Sequence, residues 1–291
     1  MNSAVMSPAR SFSPRRWALL KRAATARGGW AGGIVLLVAL TLAVLAGTIA
    51  PFDPLKQDLG ATLKPPGAEH LLGTDNLGRD IWSRVIFGTR ISLVAGFVSV
   101  AIAVVVGSLL GLAAGYLAGR VDGVIMRLID AVLAFPPLVL ALALGGVLGT
   151  GLAGVLIALG VVYAPTFARL MRGQVLTIKE REYVAAARLL GASAPRIVGA
   201  HVLPNAITPI VVQASLSVAF AILAEASLSF LGLGVPPPEA SWGNMINAGR
   251  GYLQQAPWTV FGPGVALFVT ILGLNFVGDA VRDALDPRIR V

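Results

Sequence analysis

The chain has 291 residues, of which 56% are hydrophobic and only 13% charged, and its mean hydropathy is +0.80; this excludes an ordinary water-soluble globule and points to an all-α polytopic membrane protein. With no cysteine and only His70 and His201, disulfides, thiolate nucleophiles and Cys/His zinc clusters are excluded too, so no metal site is expected. The net charge of +9 falls between apolar runs, where cations set topology rather than bind nucleic acid.

A spanning helix needs about 20 mainly apolar residues, because each adds about 1.5 Å across a hydrocarbon core of about 30 Å. A basic tail, residues 1–32, holds Arg10, Arg15, Arg16, Lys21, Arg22 and Arg27 and leads into a first expected span at 33–50. A secretory signal peptide has a similar outline, but Pro51 directly after the small residues makes cleavage there unattractive. Residues 51–90 then read as a polar outer loop. Within it, GTDNLGRD carries Asp75, Asn76 and Asp80 in a superficially calcium-like order, but Leu77 occupies a ligand position and the distal Glu is missing, so a turn is expected. The loop ends in RDIWSRVIFG, where Ile81, Trp82, Val85 and Ile86 share a helical face and Arg79, Asp80, Ser83 and Arg84 lie off it. That segment is either an interfacial helix or the beginning of the next span.

Residues 91–280 are expected to form a core of five further helices. The second span, 91–117, is free of charge, and Gly107, Gly111, Gly115 and Gly119 make a flat stripe for close packing, within the chain or against a second subunit. The charge-free run 131–168 is too long for one helix and is expected to be two, turning at GGVLGTG, with kinks at Pro136-Pro137 and Pro165. A fifth span at 206–231 is interrupted by Glu225 alone, and a sixth follows at 260–278, before a short tail at 281–291. An acid inside a span faces a cavity or a hydrogen-bonding partner, so Glu225 and Ser229, one turn later, are candidates for the translocation path or for internal packing.

Cations mark the two sides. Arg120, Arg127, Arg169, Arg172, Lys179, Arg181, Arg188 and Arg196 fall on the side of the basic tail, against Lys56, Lys64, Arg79, Arg84, Arg90 and Arg250 on the other. The positive-inside rule then predicts six spans with both termini in the cytoplasm. It puts residues 169–205 there as well. In that segment Tyr183, Ala186 or Ala187, and Leu190 share a face, Gly191 interrupts, and Ser193 with Pro195 can start a second short helix that Pro204 closes. The result is either a docking knob or a solvated anchoring loop.

HLLGTDNLGRD (70–80), AFPPL, YVAAARLLGASAPRIVGAHVLPN, AEASLSFLGLGVPPPEASWG (224–243) and DALDPRIR stand in this order along nearly the whole chain. Together they resemble the inner-membrane permease subunits of ABC importers of the dipeptide, oligopeptide and nickel class. The family's cytoplasmic motif runs Glu-Ala-Ala, three residues, Gly, nine residues, Ile-x-Leu-Pro. Here Ala185 replaces Glu, Ala186 and Ala187 match, Gly191 matches, His201 replaces Ile, and Leu203 and Pro204 complete it. The resemblance implies a type I ABC importer permease fold in the cell inner membrane. It also implies a coupling helix, shaped by Tyr183, Ala185, Ala186, Ala187, Gly191, Ser193, Pro195, Arg196, Leu203 and Pro204, that docks into the ATP-hydrolysing subunit. The partners it implies are a second homologous permease, two ATP-binding subunits and an extracytoplasmic substrate-binding protein.

No lysine here, Lys21, Lys56, Lys64 or Lys179, is followed by Ser or Thr, so the chain carries no P-loop. ATP and Mg are therefore expected on the partner chains, and this chain is not expected to be an enzyme or to bind a cofactor itself. An ion-gradient-driven transporter would be expected to show several intramembrane charges or an inverted repeat, and an intramembrane enzyme paired acids or HExxH. The class of substrate leans to short peptides, because residues along the spans that would suit nickel are scarce. The outer loop 235–257, with Trp242 near its start and Trp258 just past its end, is a candidate surface for the binding protein, though aromatic anchoring at the membrane interface explains the tryptophans equally well.

Overall fold

The computed structural model describes residues 28–285. Among them there is no strand, only an isolated bridge between Thr74 and Asp80. Helices α1 (Gly29–Val44) and α2 (Ala46–Ile49) lead into the loop before α3 (Ile81–Leu117). Then come α4 (Gly119–Leu133), α5 (Pro137–Leu148), α6 (Leu152–Lys179), α7 (Glu182–Leu189), α8 (Ala194–Ile197), α9 (Leu203–Phe230), α10 (Trp242–Gly249) and α11 (Trp258–Leu285). The predicted basic tail and the end of the C-terminal tail lie outside the described residues.

Four helical segments are long and apolar enough to cross a membrane: Ile81–Leu117, Leu152–Lys179, Ala194–Phe230 and Trp258–Leu285. The pair α4 and α5 makes a fifth if taken as one span, bent by 93°. α1 is apolar but has 16 residues, about 24 Å of helix, short of a full crossing by itself. Its helix stops at Leu45 and resumes as α2.

The third expected span differs from the chain's actual path. Pro136 and Pro137 do not kink a continuous helix: Pro136 is the N-cap of α5 and Pro137 its first residue, where a missing N–H costs nothing. The chain therefore turns a corner there. Pro165 lies inside an unbroken α6. The turn expected at GGVLGTG is present, with Gly149 and Gly151 at φ 85° and 125°.

RDIWSRVIFG is no separate interfacial helix. Asp80 caps α3 by accepting from the Ser83 amide at 2.7 Å, and the helix runs on without a break. Ile81, Val85 and Ile86 are buried. Arg84, which looks surface-bound by pattern, is buried as well; its Nη1 donates to the carbonyls of Pro54 and Pro238 at 2.9 and 3.3 Å. The loop before it is a compact plug. Asp75 accepts from Arg79 Nε at 2.7 Å and from the Leu77 and Arg79 amides, while Asp80 meets His70 Nδ1 at 2.9 Å. These carboxylates are taken up by the chain's own donors.

The densest interface is α3 against α6, followed by α11 against α1 and α9. One apolar core runs through it, from Leu93 and Val100 to Phe167, Met171 and Val175 and on to Ile210, Val218 and Ile222.

Candidate functional site

The segment after α6 is a built projection. Lys179 Nζ donates to the Gly115 carbonyl at 3.0 Å, fixing the end of α6 on the last turn of α3. α7 carries Glu182 in its first turn and Arg188 in its last, each complementing the helix dipole. It ends in a Schellman pair: the Ala192 amide donates to Ala187 O at 3.0 Å and the Gly191 amide to Arg188 O at 2.9 Å. Gly191 sits at φ 77°, the left-handed conformation this ending needs.

Ser193 is the N-cap of α8, with Pro195 in its first turn and Arg196 in its last. Pro204 does not close the segment. A π-turn, Val198–Val202, joins α8 directly to α9, and the Leu203 amide bonds to Val198 O. Pro204 follows as the second residue of α9, so its missing N–H falls where the bonding switches from π to α.

What holds the projection on the bundle are three residues the motif spacing did not single out: Val184, Ile197 and Val202, at 0%, 2% and 0% exposure. The only signal for them was their apolar character among charged neighbours. Ala185, Ala186, Gly191, Ser193, Pro195, Arg196, Leu203 and Pro204 are exposed, and Ala187 is half-buried. Tyr183 is exposed too and meets His201 in a tilted ring contact, 6.0 Å between centroids. At the tip, Leu189 and Leu190 are 90% and 89% exposed. Two leucines left exposed on a capped helix form a surface suited to burial against another protein.

The glycine stripe lies inside the chain. A Cβ on Gly107 or Gly111 would strike the backbone carbonyl of Ala164 or Ala168, and one on Gly115 would meet Val175 Cβ at 2.8 Å. Gly119 departs from the stripe: it stands in the turn into α4 at φ 56°, where a Cβ would have nothing within 4 Å.

Glu225 and Ser229 do not face an open passage. Glu225 is 0% and Ser229 2% exposed. Ser229 Oγ donates to Glu225 Oε1 at 2.7 Å and Ser92 Oγ to Oε2 at 3.1 Å. The carboxyl joins α9 to α3 within the packed interior. Trp242 likewise is buried at 1% exposure, its Nε1 donating to Val85 O at 3.1 Å, so it offers nothing to a docking protein. Trp258 is half-buried, with Nε1 on Thr74 O at 3.2 Å.

Comparison with known proteins agrees with this architecture. Residues 103–291 match the family described as binding-protein-dependent transport system inner membrane component, and residues 17–66 match the N-terminal TM domain of oligopeptide transport permease C. A di/tripeptide transport system permease protein of Pseudomonas aeruginosa is 44% identical over 270 residues, covering 91% of this chain and 89% of the relative. A dipeptide transport system permease protein of Haemophilus influenzae is 41% identical over 270 residues, covering 91% and 92%. A glutathione transport system permease protein of Pectobacterium atrosepticum is 42% identical over 261 residues, covering 89% and 87%. In structure, a chain of the MetNI methionine ABC transporter in an inward-facing form aligns with a TM-score of 0.57 at 20% identity, covering 69% of this chain and 96% of that one. An all-helical bundle with a capped, exposed projection and this match over most of its length is a membrane permease: the chain belongs to the family of binding-protein-dependent transport system inner-membrane components.

Proposed function

We propose that this permease forms half of the translocation path for short peptides, and that the projection of α7 and α8 is the helix through which separate ATP-binding subunits drive it. The observation that carries the reading is the tip of α7, where Leu189 and Leu190 stand exposed beyond a Schellman cap in a chain of this family. A second homologous permease, two ATP-binding subunits holding ATP and Mg, and an extracytoplasmic binding protein complete the importer. In this reading α1 with α2 is the first of six spans and the α4–α5 pair, crossing through α5, is the third, with both termini and the projection in the cytoplasm, in line with the positive-inside bias. Closure of the ATP-binding subunits then moves the two projections together, and the bundles rock as rigid bodies to open the path outward. The peptide substrate rests on the names of the relatives, among which di- and tripeptides and glutathione all occur.

The test is purification of the chain in mild detergent from its own cells, with mass spectrometry of retained proteins and uptake of labelled dipeptides into vesicles. Recovery of an ATPase and a second permease, with uptake that requires ATP and is competed by unlabelled dipeptides, supports the proposal. Uptake that persists without ATP, under an ion gradient, would overturn it. Uptake that requires ATP but ignores peptides would overturn the substrate class alone.

A further inference from the structure

α4, of 15 residues, is bent by 93° from α5, which itself packs along α6 through Ala141, Val155, Leu159 and Val162. It is held crosswise on α6 by two ion pairs on the same side: Arg172 grips both carboxylate oxygens of Asp122 at 2.5 and 2.6 Å, and Arg169 reaches Asp130 at 2.6 Å. Ile129 is buried beneath them. Arg169 and Arg172 are the first cations after the charge-free part of α6, which puts α4 at the level where that span leaves the hydrocarbon.

The opposite side of α4 is unpartnered and orderly. Val121, Val124 and Leu128 follow one another at intervals of three and four and are 41%, 61% and 65% exposed. Beside this stripe, seven residues apart on the same edge, stand Arg120 and Arg127, both exposed and in no ion pair among the described residues. A helix lying across the bundle at the membrane boundary, with an apolar stripe edged by arginines, has the pattern of an interfacial helix. We infer that α4 rests in the bilayer surface, with Val121, Val124 and Leu128 in the upper acyl region and Arg120 and Arg127 binding the headgroups of anionic phospholipid. The positive edge selects an anionic headgroup over a zwitterionic one. The ion pairs to α6 transmit this lipid anchorage to the span that ends at the projection. That the leaflet is the cytoplasmic one rests on the orientation proposed above; the lipid contact itself does not.

The experiment uses the assembled transporter in vesicles of phosphatidylcholine with phosphatidylglycerol. The chain has no cysteine, so a nitroxide on Val124→Cys or Leu128→Cys reports from that site alone once the partners' cysteines are removed. Relaxation of either label by oxygen, with protection from a water-soluble nickel chelate, is the expected result in both leaflet assignments. Exposure to the chelate would place α4 in water and overturn the inference; protection from both reagents would place it against protein, a second permease for instance, and overturn it equally. Native mass spectrometry supplies the second readout. The Arg120→Gln/Arg127→Gln variant should retain about tenfold less phosphatidylglycerol than the parent, and equal retention would remove the arginines from the proposal. A failure of ATP-dependent peptide uptake with the lipid results intact would instead count only against the proposed function.

Discussion

Ser92 and Glu225 lie 133 positions apart in sequence and meet at 3.1 Å in a fully buried pair. Together with Ser229 they form the polar tie between α3 and α9. Replacing Glu225 with Ala should leave two hydroxyls without their acceptor and lower stability by about 1–3 kcal/mol. Glu225→Gln, which keeps an acceptor oxygen, should lose less. Thermal unfolding in detergent distinguishes the two, and uptake per folded Glu225→Gln transporter should stay close to the parent if the carboxyl acts only within the packing.

The contact of α3 with α6 admits no side chain at Gly111. Gly111→Ala drives a Cβ into the Ala168 carbonyl, with Met171 Cβ behind it at 2.9 Å. Backbone cannot yield as a flexible side chain does, so the helices must separate along their tightest seam. A loss of roughly 1–3 kcal/mol is expected, read as a fall in melting temperature and in the amount of protein inserted. Gly33→Ala, with nothing within 4 Å, is the matched control and should behave as the parent.

At the projection, Leu189→Asp/Leu190→Asp should change folding little, since both side chains are already in water. ATP-dependent uptake should fall by more than about tenfold, because each buried leucine contributes on the order of 1.5–3 kcal/mol to an interface. Co-purification of the ATPase reports the same loss directly. Gly191→Pro should also uncouple transport. Proline cannot adopt the positive φ of the Schellman ending and removes the amide that bonds to Arg188 O. Normal ATP-dependent uptake by Gly191→Pro would refute the coupling role.

The Asp122 and Arg172 pair calls for a double-mutant cycle. Either Asp122→Asn or Arg172→Gln alone should loosen α4, and the double variant should be more stable than the sum of the two singles predicts. A coupling of about 0.5–1 kcal/mol is expected for a partly exposed pair. Strict additivity in thermal unfolding would show that α4 is held by Ile129 and its neighbours instead.

The long apolar helices were legible because lipid imposes a coarse rule, long runs without charge, which residues 91–117 and 152–168 obey. The projection was legible too, through Gly191 and the Ser193–Pro195 start. What escaped was whatever depends on partners far off in sequence. Arg84 reads as surface until Pro54 and Pro238 supply carbonyls from 30 and 154 positions away. Glu225 reads equally well as a path residue until Ser92 accounts for its second oxygen. Pro136-Pro137 and Pro204 mark breaks in sequence, but whether a proline kinks, caps or opens a helix depends on where the preceding turn ends, and that is set by packing. Trp242 reads as an interface aromatic, yet the pocket against Gly88 and Val85 that buries it belongs to a helix start that the pattern leaves open.

The indoles of Trp242 and Trp258 bolt one end of the bundle to itself. One fastens α10 to the first turns of α3 at Val85, the other fastens the entry of α11 to the polar plug at Thr74, and Arg84 clamps the same plug to the loop at Pro238. This end of the subunit is thereby tied together across three helices, α3, α10 and α11. A push on any one of the three is therefore shared by α3 and α11 through the plug they both hold.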